Sequence, residues 1–66
     1  MRATVNGAPV ELPGVTPLLA FLAERKLNPA VVVIEHNGQI LHRDRWPDTC
    51  ISDGDTLEIL SFVGGG

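Results

Sequence analysis

The 66-residue sequence has little of what marks several large classes of protein. It has one cysteine, which excludes an internal disulfide framework. It has five basic residues and eight acidic ones, and the basic residues are scattered and form no stripe. This argues against nucleic-acid binding by phosphate neutralisation. It has no apolar run long enough to span a membrane and no signal-peptide core near Met1. We therefore expect a single cytoplasmic domain with neither a nucleic-acid nor a membrane partner.

The first twelve residues have the pattern of a β-hairpin. Asn6-Gly7 is the dipeptide favoured by a type I′ turn, because both central residues need positive φ. In that register apolar residues share one face, and Arg2 opposes Glu11 on the other. Because Pro9 cannot donate to a neighbouring strand, the second strand is expected at a sheet edge.

A helix of about three turns is predicted next. Thr16 is a suitable N-cap and Pro17 a suitable first helical residue. Apolar residues then recur at helical spacing, and Asn28-Pro29 is expected to end the helix. The apolar stripe consists of Leu18, Leu19, Phe21, Leu22 and Ala23.

The second half of the sequence has three strand signals and one irregular segment. Residues 30–34 are β-branched and apolar, and Asn37-Gly38 marks a second hairpin. Residues 43–49 show no strand alternation and are predicted to be irregular or 3₁₀. A tight turn at 53–55 precedes the last strand, 56–62. One helix on a mixed four- to five-stranded sheet predicts an α+β β-grasp fold, with the first and last strands as central neighbours.

Three glycines, Gly64, Gly65 and Gly66, follow the last strand. Glycine loses more conformational entropy on ordering than any other residue, so the run adds little to a fold. We expect a folded domain over residues 1–63 and a flexible arm over residues 64–66 with a free carboxylate at its tip. The alternative is a frayed terminus without function.

Several features together carry a resemblance to a known family. They are Asn37-Gly38 after a valine-rich strand, Arg43 with Trp46, the Asp53-Gly54-Asp55 turn, the strand Leu57-Glu58-Ile59 and the end Val63-Gly64-Gly65-Gly66. With these features the sequence resembles the ThiS family, the ubiquitin-like sulfur carriers of thiamine biosynthesis, over its whole length. The N-terminal half is generic and contributes little to the resemblance.

The resemblance implies a carrier protein with no catalytic residue and no bound cofactor. A ThiF-like adenylating enzyme uses ATP to activate the carboxylate of Gly66, and sulfur from a cysteine-derived persulfide replaces AMP. Thiazole synthase (ThiG) then accepts sulfur from the thiocarboxylate. Val63, Gly64 and Gly65 are the implied recognition segment. Two alternatives stay open: the same carrier chemistry in molybdopterin synthesis or tRNA thiolation, and a non-covalent β-grasp binding module.

Alternation along the last strand separates two apolar faces. If Leu57 and Ile59 pack on the helix, Leu60 and Phe62 lie on the far side of the sheet, beside the tail. Exposed apolar patches mark partner sites, and we predict that these two residues dock the activating enzyme and thiazole synthase. The alternative is that residues 43–49 cover this face and bury Phe62.

The other residues whose side chains are reactive or could bind a metal ion are assigned structural roles. Cys50 has no adjacent His or Lys to activate it and is expected to be a small buried hydrophobe. His36 and His42 fall on opposite faces of the second hairpin, which argues against zinc. Asp53 and Asp55 lack calcium-loop spacing and are predicted to serve the turn. In the same way, Trp46 is expected to anchor residues 43–49 on the core, and Glu24 and Glu35 are expected to be solvated.

Overall fold

The computed structural model describes residues 1–62. Within that range the strands are β1 (Arg2–Val5), β2 (Ala8–Glu11), β3 (Thr16–Pro17), β4 (Val32–His36), β5 (Gln39–Leu41), β6 (Cys50–Ile51) and β7 (Thr56–Ser61). The α-helix α1 spans Leu18–Glu24, and 3₁₀ helices span Pro29–Val31 and Arg43–Asp48. The helix α1 is too short to cross a membrane, and no other helix in residues 1–62 is long and apolar enough to do so.

A five-stranded mixed sheet forms the centre of the fold, in the order β2-β1-β7-β4-β5. β1 is parallel to β7, and the other neighbouring strands are antiparallel. The predicted β-grasp arrangement, with the first and last strands adjacent, is confirmed. β2 lies at an edge, where the missing N–H of Pro9 is tolerated. β3 and β6 form a separate two-residue ladder, which is too short to leave a periodic signal in the sequence.

The two Asn-Gly turns have the predicted conformation. Asn6 and Asn37 both have φ of 52°, and the glycines after them have φ of 81° and 85°. Positive φ at both central residues is the requirement of a type I′ turn. The two-residue loops fix the register of both hairpins, and the register between β1 and β2 is the predicted one.

The start of the helix differs from the prediction. Thr16 and Pro17 form β3 instead of a cap and a first turn, and the Thr16 hydroxyl donates to the carbonyl of Gly14 (2.8 Å). The first N–H of α1, that of Leu18, donates to the carbonyl of Thr49 (2.9 Å). A tertiary partner therefore satisfies this N–H, and no side-chain cap is needed.

The helix also ends earlier than predicted. Lys26 adopts a left-handed conformation with φ of 58° and donates its N–H to the carbonyl of Ala23 (3.0 Å). The N–H of Leu27 donates to the carbonyl of Leu22 (2.9 Å). These two bonds form a Schellman motif, which reverses the chain before Asn28-Pro29 is reached.

The core lies between α1 and one face of the sheet. Its buried residues are Ala3, Leu18, Phe21, Leu22, Val32, Ile34, Trp46, Ile51, Leu57 and Ile59. Trp46 is 3% exposed, and its indole N–H donates to the carbonyl of Leu41 (3.1 Å), so the predicted anchor role is confirmed. The guanidinium of Arg43 lies 4.8 Å from the centroid of the Trp46 ring and donates to the carbonyl of Pro29.

Candidate functional site

The predicted chemical site lies outside the described residues. It consists of the carboxylate of Gly66 and the approach through Val63, Gly64 and Gly65. What the structure describes is the strand from which this segment continues. That strand is β7, which has β1 on one side and β4 on the other. Directly after it, the N–H of Phe62 donates to the carbonyl of Val31 (2.9 Å), so pairing extends to the last described residue.

The side chain of Asn6 supports the second half of β7. The pairing of β1 with β7 stops at Val5↔Leu57, so β7 continues past its neighbour. Asn6 Oδ1 accepts a hydrogen bond from the N–H of Ile59 (2.7 Å), and Asn6 Nδ2 donates to the carbonyl of the same residue (3.1 Å). The amide therefore takes the place of one further β1 residue and satisfies both backbone groups of Ile59.

Exposed apolar side chains lie on the sheet face opposite α1, beside the end of β7. Leu60 is 63% exposed and Phe62 is 54% exposed. Ile40 on β5, 57% exposed, and the half-buried Val33, the register partner of Leu60, extend this surface. The second 3₁₀ helix packs against α1, so the alternative that residues 43–49 cover Phe62 is wrong. Val33, Ile40, Leu60 and Phe62 are called the outer apolar patch below.

Two glutamates lie among the residues of the outer apolar patch. Glu35 on β4 is the register partner of Glu58 on β7 and, on its other side, of Ile40 on β5. Glu58 is exposed, whereas Glu35 is half-buried and so less solvated than predicted. Within residues 1–62 neither carboxylate forms a salt bridge; Arg2 pairs with Glu11, and His36 bonds Asp55.

Sequence reasoning identified only half of this surface. Leu60 and Phe62 were found because alternation along one strand is visible in the sequence. Ile40, Val33 and Glu35 join them through the pairing of β4 with β5 and β7. The Asn37-Gly38 turn could have aligned β4 with β5, but the register of β4 on β7 has no local signal.

The carboxylate of Asp55, just before β7, bonds three residues and so joins its own turn to the end of β4. It accepts a hydrogen bond from the N–H of Ser52 (2.8 Å) and bonds His36 Nε2 (2.9 Å) and Asn37 Nδ2 (3.2 Å). Burial by itself raises the pKa of Asp55, but the hydrogen bonds to His36, Ser52 and Asn37 together outweigh it and hold the pKa below the ordinary 3.8. Asp53 accepts the first N–H of β1 (2.8 Å). The predicted turn role is confirmed for Asp55, whereas the side chain of Asp53 links the turn to β1.

Cys50 is exposed, so the prediction that it is buried is wrong. Successive side chains of a strand point to opposite sides, and in β6 the next residue, Ile51, is fully buried. The face of β6 that carries Cys50 is therefore turned to solvent. Among residues 1–62 no group of three or more His, Cys, Asp or Glu side chains could hold a metal ion.

A cavity of about 370 Å³ opens on the helix side of the sheet. Its walls are Val5, Asn6, Phe21, Arg25, Leu27, Ile59 and Ser61. Ile59 and Ser61 alternate along β7 with Leu60 and Phe62, so the cavity and the outer apolar patch lie on opposite faces of the sheet. The two features are therefore not parts of one site.

Comparison with known proteins gives consistent matches. The model of the ThiS family matches residues 3–66. The sulfur carrier protein ThiS of Bacillus subtilis (strain 168) is 38% identical over 46 residues, 70% of each chain. The crystal structure of the thiamine biosynthesis protein ThiS from Geobacter metallireducens superposes with a TM-score of 0.85 at 36% identity, with both chains covered completely. A thiazole synthase of Paramagnetospirillum magneticum (strain ATCC 700264 / AMB-1) is 30% identical over all 66 residues, and the chain spans 20% of that protein's length.

Proposed function

Because this chain belongs to the ThiS family of sulfur carriers, we propose that it carries sulfur as a thiocarboxylate on Gly66. Its function as a sulfur carrier in thiamine biosynthesis rests on the family model and on the likeness to ThiS proteins in sequence and structure. The single observation that carries the assignment is the match of the family model over residues 3–66, which include the terminal glycines.

The carboxylate of Gly66 must be activated before it can accept sulfur. A C-terminal carboxyl group has a pKa of about 3.3–3.7, so at neutral pH it is ionised and is a poor electrophile. In the proposed first step, a carboxylate oxygen attacks the α-phosphorus of ATP and pyrophosphate leaves. The resulting acyl adenylate has AMP as a good leaving group, and the adenylating enzyme supplies the positioning.

Sulfur enters in the second step. The terminal sulfur of a cysteine-derived persulfide attacks the acyl carbon of Gly66, and AMP leaves. A thiol then cleaves the S–S bond of the acyl disulfide, and the thiocarboxylate is released. The glycines before Gly66 present no side chain, so enzyme backbone can approach the acyl group from both sides.

The chain acts in these steps as a substrate of other enzymes. The side chains of Leu60 and Phe62, which lie close in sequence to the tail, are apolar and exposed. We assign them the docking of the adenylating enzyme and of thiazole synthase, because a large exposed apolar surface marks a partner site. Their position beside the start of the tail supports this role.

Thiazole synthase is the proposed acceptor of the sulfur. A segment of the Paramagnetospirillum thiazole synthase is similar to the whole of this chain. A carrier-like segment within a protein of that name supports a functional interaction between a carrier and a thiazole synthase. This likeness favours thiamine synthesis over molybdopterin synthesis and tRNA thiolation, the pathways that the sequence left open.

Mass spectrometry tests the proposed chemistry directly. The full chain is incubated with a ThiF-like adenylating enzyme, ATP, a persulfide donor and a thiol that cleaves the acyl disulfide. We expect a mass increase of one oxygen-to-sulfur exchange, located at Gly66 by fragmentation. A chain with one extra alanine after Gly66 is the matched control and should gain no mass. An unchanged mass, under conditions that charge the B. subtilis ThiS, would contradict the proposal.

A further inference from the structure

The glutamates of the outer apolar patch form a like-charge pair. The N–H of Asn37 donates to Thr56 and that of Phe62 donates to Val31, and hydrogen-bonded pairs recur at every second residue along antiparallel strands. Glu35 and Glu58 therefore form such a pair, with Cα atoms about 5.5 Å apart. Like charges directly opposite each other destabilise a sheet. The fold gains nothing from this placement.

Within residues 1–62 no Lys, Arg or His side chain forms a salt bridge with Glu35 or Glu58. Arg2 forms an ion pair with Glu11 at 2.7 Å. Arg43 donates to the carbonyls of Pro29 and Val32 and lies over the ring of Trp46. The two carboxylates thus remain uncompensated on a surface whose other prominent side chains are apolar.

We propose that the outer apolar patch, with Glu35 and Glu58 inside it, docks the adenylating enzyme through a basic side chain of that enzyme placed between the two carboxylates. The inference rests on the proposed function and specifies the chemistry of its docking surface. Apolar side chains of the enzyme cover Leu60, Phe62 and Ile40, and an Arg or Lys among them relieves the repulsion. Electrostatic complementarity of this kind selects the partner and raises the association rate.

The charge of the patch also selects among possible occupants. A second copy of this chain would place four carboxylates against each other, because an interface with twofold symmetry joins the same patch on both subunits. A nucleic acid would bring further negative charge to a chain of net charge −3. A protein surface that combines apolar and basic side chains is the occupant that fits.

Calorimetric titration into the purified ThiF-like enzyme, without ATP, tests this inference. The variants are Glu35→Gln, Glu58→Gln and both together. The matched control for the two single variants is Glu24→Gln on α1, which removes one negative charge as each of them does. We expect each patch variant to raise the Kd about 3- to 10-fold, and the Kd of the control to stay within about twofold of that of the unsubstituted chain. Affinity of the unsubstituted chain should fall as salt rises, and that of the double variant should fall less.

Thermal unfolding of the same variants gives an independent readout. Because each patch substitution removes one member of a like-charge pair, we expect Tm to rise by about 1–5 °C while affinity falls. A purely structural role for the glutamates would instead lower Tm.

One outcome overturns this inference and leaves the proposed function intact: the unsubstituted chain binds the enzyme and is adenylated, and the double variant binds with the same affinity. If the unsubstituted chain neither binds nor is adenylated, both are overturned.

Discussion

Removal of the Asn6 side chain should destabilise the fold through a residue far away in the sequence. Asn6 bonds both backbone groups of Ile59, 53 residues further on. Each such bond contributes about 0.5–1.5 kcal/mol, so we expect Asn6→Gly to lower the free energy of unfolding by about 2 kcal/mol. A domain of this size has about 3–10 kcal/mol in total, at about 0.05–0.15 kcal/mol per residue. The corresponding fall in Tm is about 8–16 °C.

Glycine is the informative substitution because Asn6 has φ of 52°. Glycine accepts this conformation without strain, so Asn6→Gly isolates the loss of the amide bonds from turn strain. Asn6→Ala loses the same bonds and adds about 1 kcal/mol of strain, and it should be the less stable of the two. We therefore expect the order of stability to be the unsubstituted chain, then Asn6→Gly, then Asn6→Ala.

Urea unfolding and amide hydrogen exchange measure the effect. In Asn6→Gly the N–H of Ile59 loses its acceptor and should exchange faster relative to that of Phe62, which bonds Val31 on the opposite edge of β7. A loss of less than about 0.5 kcal/mol, with equal change at both amides, would refute the reasoning.

Three further outcomes follow from single side chains. The lowered pKa of Asp55 contributes stability that is present above the unfolded pKa of 3.8 and is lost as pH falls through the folded pKa. In Asp55→Asn the free energy of unfolding should therefore fall less steeply as pH decreases. Urea titrations from pH 6 to pH 3 measure this, and equal pH dependence would contradict it. Lys26→Gly should raise stability by about 0.5–1 kcal/mol, because φ of 58° suits glycine; a loss in thermal unfolding would be the opposite result. Exposed Cys50 should react with Ellman's reagent in the native protein as fast as in urea, and protection in the native state would contradict its exposure.

The sequence predicted the elements whose cause is local. A type I′ turn requires positive φ at both central residues, and Asn-Gly is the dipeptide that adopts it most readily, so Asn6-Gly7 and Asn37-Gly38 were sufficient to place both hairpins. The alternation of Leu57 and Ile59 with Leu60 and Phe62 separated the two faces of β7 without knowledge of its neighbours. The prediction of the helix was less accurate, because Thr16 and Pro17 pair with β6, a contact about 34 residues away that capping preferences do not contain.

What the sequence alone determined is the order of the helix and of the five strands of the main sheet, the conformation of the two Asn-Gly turns and the resemblance to the family. Only the tertiary structure decided what each side chain meets. It turned Cys50 outward, joined the Asn6 amide to Ile59, and set Glu35 opposite Glu58 within an apolar surface. The physical reason is that conformational preference acts over a few neighbouring residues, whereas contacts across a sheet depend on a register that the whole core fixes.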